Sequence, residues 1–180
     1  MGSNPNLDLG AVAVAWAIVG WAGTLAFAIG RLSVIAIDGL SGDLTPMQFA
    51  VLVVNVGLLG WAEGYRGFQR KFSPRAAARV LYLRANATPV TTVLAPLFCV
   101  GFLGVTPRLF RITWIGTALI VLAVVLVQQL PQPWRGIVDA GVVLGLSWGL
   151  VSFLVLCGKA LASGTFPAAP EVPEPTRRSR

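Results

Sequence analysis

Residues 64–84 read GYRGFQRKFSPRAAARVLYLR and carry six of the fourteen Lys and Arg residues of the 180-residue chain. Long apolar runs flank this basic segment on both sides, in a chain that is 56% apolar and only 12% charged. Soluble domains carry about 25% charged residues, so the composition predicts a polytopic membrane protein. The basic segment then orients the chain, because Lys and Arg are retained on the cytoplasmic side of membranes.

Apolar runs of two lengths lie on either side of the basic segment. Four are near or above the roughly 20 residues that cross a hydrocarbon core about 30 Å thick, and they cover residues 9–30, 46–63, 112–130 and 136–159. A fifth run, 89–105, is shorter and contains Pro96 and two glycines. Such irregular backbone is tolerated at membrane depth only where neighbouring helices cover it.

The distribution of Lys and Arg discriminates between four and five crossings. If all five runs cross the membrane, the basic residues divide equally between the two sides. If 89–105 enters and returns on the cytoplasmic side, that side holds twelve of the fourteen, and only Arg31 and Arg135 lie outside. The positive-inside rule favours the second arrangement. We therefore predict four crossings with both termini cytoplasmic, and five crossings as the alternative.

These observations predict an all-α integral membrane protein. It is a small bundle of four transmembrane helices plus a short re-entrant or fifth membrane segment, with the basic segment 64–84 as an interfacial helix bent at Pro74. Residues 1–162 form a single polytopic domain. The Pro-rich, polar residues 163–180 are expected to be a disordered tail.

The basic segment is also a candidate contact for anionic lipid headgroups. Each Lys or Arg near an anionic leaflet contributes about 1 kcal/mol. The alternative is that the segment only sets the orientation of the chain. The residues expected to contact headgroups are Arg66, Arg70, Lys71, Arg75 and Arg79.

Two candidate ion pairs involve charges near the membrane. Glu63 and Arg66 lie three apart, so on one helix they face each other. Asp139 and Arg31 are both expected near the outer ends of their helices, where they could join the first crossing to the last. Ionisable residues at membrane depth are candidates for transport or gating, and Asn55 in mid-span could line the same path.

Regularly spaced glycines predict close helix packing. Gly141, Gly145 and Gly149 form GxxxGxxxG on the last crossing, and Gly60 and Gly64 form a second pair. Glycines four apart lie on one face of a helix and let another backbone approach closely. The spacing leaves open whether the neighbour belongs to this chain or to another subunit.

Several classes of function are disfavoured. The chain has no histidine, which argues against His-ligated haem, most zinc sites and His-based general bases. No catalytic motif is present, and Cys99 and Cys157 lie singly within apolar runs, as buried hydrophobes do. We expect no catalytic residues, no cofactor, no metal and no nucleic-acid partner, since the net charge of +7 belongs to membrane-flanking segments.

The interpretation is a non-enzymatic membrane protein, a structural or accessory subunit of a bacterial inner membrane. It would contact anionic lipids and pack against itself, as a homo-oligomer, or against a larger membrane complex. The alternative is a small oligomeric secondary transporter or channel that uses its intramembrane carboxylates. An interfacial lipid-modifying enzyme is a third hypothesis, which lacks an evident acid–base pair.

Overall fold

The computed structural model describes residues 5–173, and the side chains of residues 9–173. Within this range the chain is helical and contains no strand. Its elements are α1 (Pro5–Leu40), α2 (Pro46–Leu59), a π-helix (Gly60–Phe72), α3 (Ser73–Asn86), α4 (Pro89–Val93), α5 (Ala95–Val100), α6 (Pro107–Gln128) and α7 (Trp134–Ser163).

Four helical stretches are long and apolar enough to cross a membrane. They are Leu9–Leu40, Pro46–Asn86, Pro107–Gln128 and Trp134–Ser163, and they correspond to the four predicted spans. The prediction of an all-α membrane bundle is therefore confirmed. The helices are longer than the predicted spans, because helical structure continues past the apolar runs at several ends.

Helices α1 and α7 run antiparallel and define the two ends of the bundle. Near the start of α1, Gly10 faces the backbone of Arg84 at the end of α3, and Arg84 also donates to the carbonyl of Leu161 at the end of α7. We call this the lower end. At the upper end Gly39 of α1 lies against Gly136 of α7. Both described ends of the chain thus approach the lower end.

The chain passes from the upper to the lower end through α2, the π-helix and α3. Thr45 caps α2 by accepting from the backbone N–H of Gln48, and Pro46 occupies the first turn. In the π-helix hydrogen bonds span five residues, as when Ser73 N–H donates to the carbonyl of Phe68. A proline within an α-helix clashes with the carbonyl four residues before it. The wider turns before Pro74 relieve that clash; the sequence predicted a helix bent at Pro74 but not the π-helical turns.

Segment 89–105 does not form a spanning helix. It consists of α4 and α5, of five and six residues, which together reach about 17 Å at the usual helical rise. The chain then turns through Gly101 and Gly104, both with positive φ (100° and 57°), a conformation that glycine adopts without strain. It returns to the lower end, where Thr106 N–H donates to the carbonyl of Glu171. This path agrees with a re-entrant element rather than a fifth crossing.

The buried core lies towards the lower end. Helix α3 sits between the first half of α1 and the second half of α7, and α5 packs against both α1 and α3. The core residues are mostly small, which lets these helices approach closely. They are Ala13, Val14, Ala17, Ala76, Ala77, Val80, Leu81, Leu83, Ala95, Phe98, Cys99, Phe153, Cys157 and Ala160.

The regularly spaced glycines lie where α2 and the π-helix pack against α7. A Cβ atom on Gly145 would come within 3.2 Å of the Glu63 side chain, and one on Gly149 within 2.5 Å of the Phe68 ring. On the π-helix, a Cβ atom on Gly64 would lie 3.0 Å from the Trp148 side chain of α7. Gly141 likewise faces Asn55 and Gly60 faces Leu144. The neighbour that the glycines admit therefore belongs to this chain.

The first part of the tail is packed on the bundle rather than disordered. Residues 164–173 are irregular but make specific contacts: the carbonyl of Pro170 accepts from Arg79 and that of Glu171 from Thr106. The side chain of Val172 packs against the core. The prediction of disorder from residue 163 is therefore wrong for this part. Residues 174–180 lie outside the described range.

Helix α6 stands apart from the other three long helices. None of the residues in its most apolar stretch is buried, and large side chains such as Ile120 and Leu126 are about two-thirds exposed. The helix packs weakly on α7 and is joined to the bundle mainly at its two ends. Its surface is suited to lipid or to another protein helix.

A buried cation holds the re-entrant element and the tail together. Arg79 of α3 is 1% exposed, and its guanidinium donates to the carbonyls of Phe98 (2.6 Å), Leu103 (2.5 Å), Gly104 (3.1 Å) and Pro170 (2.8 Å). Its Cζ also lies 4.0 Å from the centre of the Phe98 ring. Three separate segments thus converge on one side chain.

Replacing Arg79 should therefore destabilise the protein. In Arg79→Met four carbonyls, of which that of Phe98 belongs to a buried residue, lose the donor that Arg79 provides, and we expect the free energy of unfolding in mixed micelles to fall by about 3 kcal/mol. Arg79→Lys should recover only part of the loss, because an ammonium group lacks the planar fork. The matched control is Arg84→Met, on the exposed side of the same helix, with an effect below about 1 kcal/mol.

A second readout is the reactivity of Cys99 on α5. Burial raises the pKa of its thiol to about 12, so at pH 8 the thiol is neutral and should resist alkylation. Arg79→Met should make Cys99 reactive before global unfolding. Equal stability of Arg79→Met and Arg84→Met, with Cys99 protected in both, would contradict the assigned role.

The glycine contact makes a separate prediction. Gly149→Ala places a methyl group against the Phe68 ring and should cost about 1–3 kcal/mol of unfolding free energy. Gly158→Ala on the same helix, where no atom lies within 4 Å, should be neutral or stabilising by up to about 1 kcal/mol. Denaturation of both variants in the same detergent tests this, and equal effects would show that α7 is not held at Gly149.

Candidate functional site

The described part of the chain has a basic cleft at the junction of the π-helix, α3, α6 and the tail. Its volume is about 500 Å³. Four cationic side chains line it: Arg70, Lys71, Arg75 and Arg108. The remaining lining residues are Pro74, Ile112, Ala168, Ala169 and Glu171.

Local structure explains why these cations meet. Arg70 and Lys71 lie in the last turn of the π-helix, and the Arg75 side chain donates to the Lys71 carbonyl at 2.9 Å. That bond holds the Arg75 guanidinium beside the end of the π-helix. Arg108 arrives from the first turn of α6, whose start is fixed by the cap at Thr106. Two distant segments of sequence thus form one basic surface.

Aromatic side chains support two further positions on the π-helix. The guanidinium of Arg66 lies 4.9 Å from the centre of the Trp61 ring, and that of Arg70 lies 5.8 Å from the Tyr65 ring. Cation–π contacts of this kind favour a positive charge over the ring face. The N–H groups at the edges of both guanidinium groups remain available to donate hydrogen bonds to an anion.

The predicted pairing of Glu63 with Arg66 is not formed. Arg66 turns to Trp61, whereas the Glu63 side chain lies against α7 beside Gly145. The wider turns of the π-helix change which residues share a face, so the three-residue spacing that applies to an α-helix does not hold here.

The predicted headgroup contact is wrong for Arg79. Its side chain is buried, and its donors are bonded to backbone carbonyls of this chain. Of the five predicted contacts, Arg66, Arg70 and Lys71 are exposed and Arg75 is partly exposed. These four remain available to an external anion.

The predicted pair of Arg31 and Asp139 is also not formed. Asp139 instead lies 3.7 Å from Arg135, one turn earlier on α7, and the two side chains are 5% and 30% exposed. Arg31 is exposed on α1. The sequence argument placed Asp139 correctly near the upper end of α7 but missed the closer partner, which the i,i+4 spacing indicates.

Asn55 is committed to helix packing. Its amide donates to the carbonyl of Ile137 at 2.7 Å, next to Gly141. Asn55 and Glu63 both face α7, so the polar groups of α2 and the π-helix are directed into a contact between helices. Between residues 5 and 173, no group of three or more His, Cys, Asp or Glu is placed to hold a metal ion.

Six residues that line the basic cleft were not predicted as site residues: Pro74, Arg108, Ile112, Ala168, Ala169 and Glu171. Arg108 had already been assigned to the same membrane side as the basic segment by the charge count, which was a usable signal. The tail residues carried none, since Pro-rich composition predicts disorder and says nothing about docking.

Comparison of the chain with protein-family models, with curated proteins and with solved structures found no match.

Proposed function

We propose that the protein is a non-enzymatic integral membrane protein, a structural or accessory subunit that binds anionic lipid headgroups at its lower end. The observation that carries this proposal is the basic cleft, where Arg70, Lys71, Arg75 and Arg108 surround one space. Phosphate groups are suited to it, because guanidinium groups donate in pairs to phosphate oxygens.

The charge state of the cleft supports an external anion. Among the described residues the ion pair is Arg135 with Asp139, so the four cleft cations have no carboxylate within ion-pair distance. Glu171 lines the cleft but does not neutralise it. Four positive charges held close together repel one another, and a bound phosphate would offset that repulsion.

The orientation that we propose follows from the same charges. The lower half of the bundle carries most of the basic segment, Arg108, Arg111 and Lys159, whereas the upper half has Arg31 and Arg135, the latter with its partner Asp139. By the positive-inside rule the lower end faces the cytoplasm, with both termini on that side, and the membrane would be a bacterial inner membrane. The exposed helix α6 supports an association with a second copy or with a larger membrane complex.

The transporter or channel hypothesis has weaker support. Asn55 is bonded to α7 and Asp139 is paired with Arg135, so two of the three polar groups that it needs are engaged in packing. Glu63 alone faces α7 without an ionic partner in the described chain.

The lipid proposal predicts that cleft charge selects anionic lipid. The triple variant Lys71→Gln/Arg75→Gln/Arg108→Gln should bind phosphatidylglycerol at least about tenfold more weakly than the wild type, given about 1 kcal/mol per basic residue. Binding to phosphatidylcholine should be unchanged. The measurement is native mass spectrometry of lipid adducts while each lipid is titrated into detergent-purified protein.

A control variant that loses the same number of charges distinguishes an effect of the cleft from an effect of net charge. Arg31→Gln/Arg84→Gln/Arg111→Gln removes three cations that do not line the cleft. It should retain most of the preference for phosphatidylglycerol. If both triple variants lose the preference equally, or if the wild type has none, the cleft is not a headgroup site.

A further inference from the structure

A second recess adjoins the basic cleft along the flank of the π-helix and α7. This apolar groove has a volume of about 860 Å³. It shares two residues with the basic cleft, Arg70 and Pro74. The other residues that line it are Tyr65, Gln69, Leu144, Ser147, Trp148, Val151, Ser152, Val155, Leu156, Lys159 and Pro167.

The wall contributed by α7 is a continuous stripe that follows the helical repeat. Leu144, Trp148, Val151 and Val155 follow one another at intervals of three or four residues, so they lie on one side of α7. All four are more than a third exposed. The stripe is open to the surroundings of the bundle, where the acyl chains lie if α7 crosses a membrane.

The opposite wall, on the π-helix, is polar. Trp148 Nε1 donates to Gln69 Oε1 at 2.7 Å, and the Trp148 side chain rests on Gly64, where a Cβ would lie 3.0 Å away. This bond joins α7 to the π-helix across the groove. The bond fixes the position of the Trp148 indole, so that the indole does not fold into the groove and fill it.

Cations lie at the lower part of the groove. Phe68 of the π-helix packs on Gly149. The π-helix runs from the upper to the lower end, so Arg70, two residues after Phe68, lies nearer to the lower end. Lys159, in the last two turns of α7, also lines the groove. The recess is therefore apolar along α7 and positively charged at the end that meets the basic cleft.

We propose that the apolar groove and the basic cleft form one binding site for a single anionic phospholipid. The phosphate lies at Arg70, the cation common to both recesses, and one acyl chain lies along Leu144, Trp148, Val151 and Val155. This inference rests on the proposed lipid-binding function and adds where the acyl chain is held. An apolar wall on α7 with cations towards the lower end matches the chemistry of an anionic amphiphile.

Photo-crosslinking with a phosphatidylglycerol probe that carries a diazirine on one acyl chain tests the inference in reconstituted vesicles. Labelling mapped by mass spectrometry should be concentrated in residues 144–155, relative to residues 115–126 on the exposed α6. Excess unlabelled phosphatidylglycerol should reduce it, and the same excess of phosphatidylcholine should not. Val151→Trp should fill the groove and reduce labelling at least about fivefold, whereas Val124→Trp on α6 should leave it unchanged.

The charge is tested with two exposed arginines. Arg70→Gln should reduce labelling of 144–155 about fivefold, whereas Arg111→Gln on α6, a residue that lines neither recess, should change it less than twofold. Labelling no stronger than on α6, or equal competition by phosphatidylcholine, would overturn the groove assignment. If native mass spectrometry still shows preference for phosphatidylglycerol in that case, the proposed function stands without the groove. If that preference is absent, both fail.

Discussion

The structure depends on Arg79, a cation in a buried position where a charge is energetically unfavourable. Burying an unpaired charge is strongly unfavourable, yet Arg79 is almost completely enclosed and has no carboxylate bonded to it in the described chain. Its compensation comes from backbone carbonyls of α5, the following turn and the tail. Those carbonyls in turn need hydrogen-bond donors, because irregular backbone that ends a helix leaves acceptors without donors. Each side satisfies the other, and the re-entrant element can therefore turn back without crossing.

The arrangement at the lower end has a consequence for the remainder of the bundle. Above the compact core that α1, α3, α5 and α7 share, glycines admit large side chains of the neighbouring helix. The π-helix suits this contact, because it offers Glu63 and Phe68 to the glycine face of α7 while Arg66, Arg70 and Lys71 are exposed. The widening before Pro74 thus serves both packing and the display of charge.

The sequence was informative where a pattern has one physical cause. Apolar length identified four spanning helices, and the shortness of 89–105 together with the Lys and Arg distribution identified a segment that turns back. It was less informative where several partners compete for one side chain. Arg79 belongs to the same basic stretch as Arg75, and nothing in the spacing shows that one would be buried against carbonyls while the other remains partly exposed. The pairing of Glu63 with Arg66 failed for a different reason, since it assumed α-helical turns in a stretch that is a π-helix. The docked part of the tail was missed because its contacts are made by backbone carbonyls, which composition does not reveal.

The two uses of arginine in this chain are linked through the tail. Arg79 holds the carbonyl of Pro170, and the residues on either side, Ala169 and Glu171, line the basic cleft. The buried cation therefore sets the position of the wall that the exposed cations face. If the tail were free, Arg108 on α6 and Arg75 on α3 would border open solvent, and their charges would be screened over about 10 Å by salt. With the tail in place, Ala168, Ala169 and Glu171 add a second wall to the cleft that these cations line. In the binding that we propose, the internal arginine would act on the anion only indirectly, by holding the tail that forms one wall of the cleft.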